Sequence, residues 1–255
     1  MISLDLERVR AACPERLILW RETTGSTMTE AARLAAEGCP SGTVVGADEQ
    51  TAGQGRLGRS WHSEKATGLY VSIVLRLPLE PVGLPVLTLA LGLAAAEAIT
   101  RVTGIPCDLR WPNDVLVGGK KCAGILVQLL DQGAVVAGIG INVNQTRFPP
   151  ELEPIATSLR LATGREYSRE PLLIALLAAV DSFVKILLDE GPETILRLFS
   201  QASSYVVNRR VAVDQGERTL TGVTEGLDPS GFLILRREDG TRTLIVAGGV
   251  RPLPE

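Results

Sequence analysis

From residue 81 to residue 96 the chain runs about 16 residues without a charge, rich in alanine and glycine. After Pro85 no proline interrupts the stretch up to residue 102, so 84–102 should be a buried helix. The uncharged run is shorter than a membrane span. Strand candidates stand on both sides of it: 17–20, 43–47 and 69–75 before, then 108–111, 122–130 and 134–142 after. The last two flank Asp131-Gln132-Gly133, a hairpin-type turn. Ahead of them the first sixteen residues read as one short helix. A turn over 23–27 leads into helical spacing at Ala31, Leu34 and Ala35, with Ser26 or Thr27 as the cap. Residues 172–189 and 194–202 are also helical. From Val211 the pattern changes to short alternating strands (VAVD, RTLTGVT, GFLILRR, RTLIVAG), read as a separate small β-barrel of about 45 residues.

Composition excludes several classes. With 45% hydrophobic residues the chain can offset its ordering entropy, so disorder is excluded. Its 26 cations against 29 anions leave a net −3, which argues against a long nucleic-acid partner. Cys13, Cys39, Cys107 and Cys122 form no CxxC pair and His62 is the one histidine, so no zinc-ligand set or disulfide framework is expected. The N-terminus lacks an apolar signal region, and a cytoplasmic location is expected.

Three segments carry chemistry. DEQTAGQGRLGRSW (48–61) combines glycines at 53, 55 and 58 with Arg56 and Arg59, whose forked donors suit phosphate or carboxylate oxygens. Gln50 and Gln54 add neutral donors, and Trp61 a flat face. It lacks the helix that a dinucleotide fingerprint opens, and Gly119-Lys120 lacks the upstream glycine of a P-loop. From composition alone, a solvated surface loop remains an equal reading. LRWPNDVLVGGKKCAGILVQ (109–128) puts Asn113-Asp114 at a strand exit, because Pro112 cannot sit inside a central strand. Gly118-Gly119 then deliver Lys120 and Lys121 to the next strand. Alternation sends the two lysines to opposite faces, so one points into a site or both are solvated. GIGINVN (138–144) alternates small residues with isoleucine, which suits a strand passing close beneath a ligand. With one histidine and no activated nucleophile, triad catalysis is not expected and His62 is given no role.

Together these pieces resemble the biotin–protein ligase (biotin–[acetyl-CoA-carboxylase] ligase) family: Gly25-Ser26-Thr27, Gln50, GQGRLGRSW, WPND, KCAGILV and GIGINVN, in order over about 120 residues. The resemblance implies an α+β fold, a mixed sheet flanked by helices, in a catalytic domain over 1–207. It also implies a C-terminal SH3-like domain over 208–255. The implied reaction has two steps. Biotin attacks the α-phosphate of ATP with Mg2+ to give biotinyl-5′-AMP, and the anhydride then acylates a lysine of a biotin carboxyl carrier protein.

On that resemblance Ser26 and Thr27 meet biotin's ureido ring with Met28 beside them, and Gln50 lies near its carboxylate. Gln54, Gly55 and Arg56 close over the adenylate, Gly124 and Ile125 give backbone contacts to biotin, and Trp61 packs by the adenine. Arg59, Asn113 and Asn142 fall on the nucleotide side, with the metal ligands unassigned. Lys121 and Arg56 are the catalytic cations, and Asp114 would deprotonate the acceptor lysine. Gln54 departs from the arginine some members carry, which would weaken adenylate retention. No DNA-binding module precedes these motifs, so a ligase alone is expected, without operator binding, and a homodimer is open. The rival readings are a lipoate or octanoyl ligase, a non-catalytic biotin-sensing regulator, and a biotin-dependent repressor.

Overall fold

The structure, a computed structural model, describes residues 4–131, 133–216 and 218–253. Gln132, in the expected hairpin turn, lies outside the described residues. Asp5 caps α1 (Leu6–Ala12), accepting the Arg8 N–H at 3.1 Å. β1 (Ile18–Thr24) outruns its expected end. Thr23 and Thr24, read as a turn, continue the strand because β2 (Val44–Gln50) offers parallel partners in Glu49 and Gln50. Only Gly25 and Ser26 then separate the strand from α2 (Thr27–Ala36). β3 (Gly68–Leu75) is buried at every position, as a strand apolar on both faces apart from Ser72 requires.

The uncharged helix is α3 (Leu84–Thr103), closed by Gly104 in the left-handed region at φ 74°. Four antiparallel strands follow: β4 (Asp108–Arg110), β5 (Asp114–Val117), β6 (Lys120–Leu129) and β7 (Val135–Asn142). β5 was not expected. Its four residues become a strand because β4 and β6 pair with it on either side. Then come α4 (Leu159–Thr163), α5 (Arg169–Glu190) and α6 (Pro192–Gln201).

The first seven strands form one mixed sheet in the order β1-β2-β3-β7-β6-β5-β4, as expected for the fold. α3 and α5 pack on each other and on one face, while α2 covers the other through Met28, Ala31 and Ala35. By length and composition, the stretches Pro81–Thr103 and Arg169–Glu190 could each cross a membrane. Here their apolar side chains build the core, with Leu87, Leu89, Leu91 and Ile99 fully buried, each contributing about 1.5–3 kcal/mol.

A second, antiparallel sheet comprises β8 (Val207–Asp214), β9 (Thr219–Leu227), β10 (Leu233–Arg236), β11 (Arg242–Ile245) and β12 (Gly249–Pro252), in the order β11-β10-β9-β8-β12. Its core is not separate from the first. Val211, Val213, Leu233 and Leu235 join the cluster that contains α3, and buried Trp111 donates its indole N–H to the Gly231 carbonyl at 2.9 Å. That seam stands beside the candidate site.

Candidate active site

Three glycines open a trough across the sheet. Gly124 on β6 faces Gly140 on β7, and Gly138 lies two residues away. A Cβ at Gly140 would fall 2.5 Å from Cε2 of Trp61, and one at Gly124 would fall 2.8 Å from its Cζ3. At Gly138 it would meet Sδ of Met28 at 2.6 Å. The trough holds roughly 460 Å³, counting its mouth, between Thr27 and Gln50 at one end and Arg56, Asn113 and Lys121 at the other.

The Thr27 end is polar, and its polarity is fixed by elimination. The Thr27 backbone N–H is 2.9 Å from the Gln50 side chain and can only donate, so the facing amide atom is Oε1. The Thr27 hydroxyl must then donate to the same oxygen, at 3.0 Å, and Ser72 Oγ donates to Thr27 Oγ1 at 2.8 Å. Gln50 Nε2 donates to Ser63 Oγ at 3.0 Å. One lone pair on Thr27 and one N–H on Gln50 remain unused among these bonds. Ser26 Oγ is buried and has no partner among the described residues. An acceptor beside a donor suits a ligand edge carrying both N–H and C=O. Gln50 therefore lies at the end occupied by Thr27, because its amide is tied to the start of α2. Ser72 was not foreseen, since it sits within an apolar strand.

The opposite end gathers cations. Asp114 takes Lys121 Nζ at 2.6 Å on Oδ1, and Arg110 Nη2 at 2.7 Å and Nε at 3.2 Å on Oδ2. Burial pushes the Asp114 carboxyl up, but Lys121 and Arg110 outweigh it and hold the group below the usual carboxylate range. A carboxylate so held is a poor base. Arg56 donates to Asn113 Oδ1 at 3.1 Å, and Asn113 Nδ2 donates to the Ile125 carbonyl at 2.8 Å. Burial lowers the pKa of Arg56, while Asp114 opposes the shift. In WPND, then, Asn113 aims Arg56 and Asp114 aims Lys121. Lys120 leaves on the other face and donates to the Glu153 carbonyl at 2.9 Å, as alternation demands. Ile125 lines the trough, with its N–H donating to the Asn113 carbonyl at 3.0 Å. Gln54 lines the trough and ties the loop to α2 through Thr29 Oγ1 at 3.2 Å.

Beyond the cations the trough opens into a second cavity of about 1000 Å³, counting its mouth. Gly55, Arg56, Trp61, Asn113 and Lys121 line both. Arg59, Arg110, Asp114 and Asn142 add polar groups to the second, and Phe148, Leu152 and Ile155 form an apolar wall. The His62 ring meets Phe148 edge-on, with centroids 6.4 Å apart. Trp61 lies on the trough glycines, with Lys121 Nζ 5.3 Å from its ring centre, so it spans both cavities instead of only flanking the second. Asn142 reaches the second cavity with its amide already committed to the Thr157 carbonyl at 3.0 Å.

Residues 20–145 match the model of the Biotin/lipoate A/B protein ligase family, and residues 206–250 match the Biotin protein ligase C terminal domain. The bifunctional ligase/repressor BirA of Bacillus subtilis is 36% identical over 239 residues, covering 90% of this chain and 72% of that protein. The biotin–[acetyl-CoA-carboxylase] ligase of Mycobacterium tuberculosis is 32% identical, covering 96% and 97% of the two chains. This chain belongs to the biotin protein ligase family. A solved biotin protein ligase from Aquifex aeolicus, in complex with biotin and ATP, aligns with the ligase at a TM-score of 0.82 and 33% identity, over 93% of this chain and 99% of that one.

In this ligase the fold brings Thr27, Met28, Gln50, Gln54, Gly55, Arg56, Gly124 and Lys121 to one trough. Arg59, Asp114 and Asn142 line the adjoining cavity. Sequence reasoning missed Ser72, Arg110, and the Phe148–Ile155 wall. Phe148-Pro149-Pro150 carries no motif, and the segment reaches the site through long-range contacts such as the Lys121 N–H to the Ile155 carbonyl at 2.8 Å and the His62–Phe148 ring pair.

Proposed function

We propose that this ligase condenses biotin with ATP and passes the biotinyl group to a lysine of a biotin carboxyl carrier domain, and that the trough is the biotin site. One observation carries the reading. A polar end complementary to a ureido edge and a nucleotide-sized cavity meet at one shared pair of cations, Lys121 and Arg56. The ureido N–H would donate to Thr27 Oγ1, and its carbonyl would accept from Gln50. The fused rings would pack beside Met28 and Trp61, the side chains that cover Gly138 and Gly140, and the carboxylate would reach Lys121. The apolar wall of Phe148, Leu152 and Ile155 would take the adenine.

The biotin carboxylate then attacks the α-phosphorus and pyrophosphate leaves. Charge builds on the phosphoryl oxygens, and preorganised cations at that point lower the barrier. In the second step the acceptor amine attacks the anhydride carbonyl, forming the amide and releasing AMP. The adjoining cavity offers one carboxylate, Asp114, already engaged by two cations, and no group of three metal-ligating side chains occurs among the described residues. Magnesium therefore enters as part of the MgATP substrate. Asp114 serves as counterion to Lys121, and the pairing gives no support to a base role. A division at residues 207/208 and a cytoplasmic location, where ATP is at hand, belong to the same proposal. Biotin-dependent exchange of pyrophosphate into ATP tests it, with lipoate as the parallel acid.

A further inference from the structure

Lys121 faces a conflict. Its ammonium is bonded to Asp114 at 2.6 Å, yet the chemistry needs that ammonium on the carboxylate and phosphate oxygens of the substrates. Leaving Asp114 would strand a largely buried carboxylate without its partner, which is costly. Arg110 answers this. It is the cross-strand partner of Asp114, and it holds the second carboxylate oxygen at 2.7 Å and 3.2 Å while Lys121 holds the first. The two cations do not compete for one atom. The Lys121 backbone is pinned separately, by the Ile155 carbonyl at 2.8 Å and the Thr157 N–H at 2.9 Å, so the side chain can swing without the strand moving.

We propose that Arg110 is a positioning residue: it keeps Asp114 compensated, so that Lys121 can transfer from that carboxylate to the reacting substrates. The inference rests on the ligase reading above. Without Arg110, Lys121 becomes the sole partner of Asp114 and is retained there.

Steady-state pyrophosphate exchange would be measured with Arg110→Ala, Arg110→Lys, Asp114→Asn and the Arg110→Ala/Asp114→Asn double variant, each checked for folding by circular dichroism. Arg110→Ala should lower kcat by about 100-fold, the cost of a misplaced catalytic group, with KM for biotin little changed. Arg110→Lys should recover most of the loss. The double variant should be faster than Arg110→Ala alone, because no carboxylate remains to hold Lys121. A double variant no faster than Arg110→Ala would overturn the proposal, as would an unchanged kcat in Arg110→Ala. If Arg110→Ala does not fold, Arg110→Lys decides: near-native kcat supports the proposal, and a full loss overturns it. Wild-type protein that exchanges nothing with biotin would instead remove the ligase reading, and the inference with it.

Discussion

Thr27 donates its backbone N–H to Gln50 Oε1 at 2.9 Å, and that bond sets the polarity of one end of the trough. An acceptor on Thr27 and a donor on Gln50 then face the cavity. Biotin's ureido ring would satisfy such groups, and the dithiolane of lipoate would leave them unpaired. A site built to hydrogen-bond its substrate rejects an analogue lacking those groups by on the order of 10⁴. Pyrophosphate exchange with the two acids should show kcat/KM for biotin higher by that order. Gln50→Ala should raise KM for biotin about tenfold or more, with the cost of the unpaired ligand carbonyl. Equal use of both acids would contradict this account of selectivity.

A methyl group at Gly140 has no room while the Trp61 indole lies there, 2.5 Å away at Cε2. Gly140→Ala should displace either the indole or the ligand and weaken biotin binding by about tenfold or more. Calorimetry gives the affinity and tryptophan fluorescence the indole's new surroundings. Unchanged affinity and fluorescence would mean that Trp61 does not lie on the strand.

Lys121 meets Asp114 in the resting site and is the cation expected to follow the charge into the transition state. Lys121→Ala should cut the kcat for exchange by roughly 10²–10³, the usual loss when one preorganised donor is removed. Thermal stability measured alongside separates this from unfolding. A variant that keeps most of its kcat would put the charge stabilisation elsewhere.

The Asp114 carboxyl is held below its unfolded range by Lys121 and Arg110 against the effect of burial. Its folded pKa is depressed, so its contribution to stability is complete above the unfolded value of about 3.9 and is lost as pH falls through the lower folded value. Asp114→Asn removes that dependence. The Tm gap between wild type and variant should be widest near neutral pH and narrow as pH falls below about 4. A gap independent of pH would show that the carboxylate's charge adds nothing to stability.

Most of the site was legible because its parts are local. GQGRLGRSW, WPND and GIGINVN each hold their chemistry within a few residues, and an uncharged run without an internal proline marked the buried helix. What escaped depends on distant partners. β5 is a strand only through pairing on both sides, and Thr23 and Thr24 extend β1 only because β2 lies alongside. Ser72 acts through Thr27, 45 residues earlier, and Arg110 acts through the Asp114 carboxylate across a strand pair. The shared core of the two sheets was hidden for the same reason, since Trp111 and Gly231 meet across 120 residues.

The central claim is that biotin is activated as its adenylate in this trough. Exchange of labelled pyrophosphate into ATP, measured with biotin and with lipoate, tests it most directly. The account predicts exchange that requires biotin, is not supported by lipoate, and collapses in Lys121→Ala. Exchange driven by lipoate, or exchange with biotin undiminished in Lys121→Ala, would contradict it.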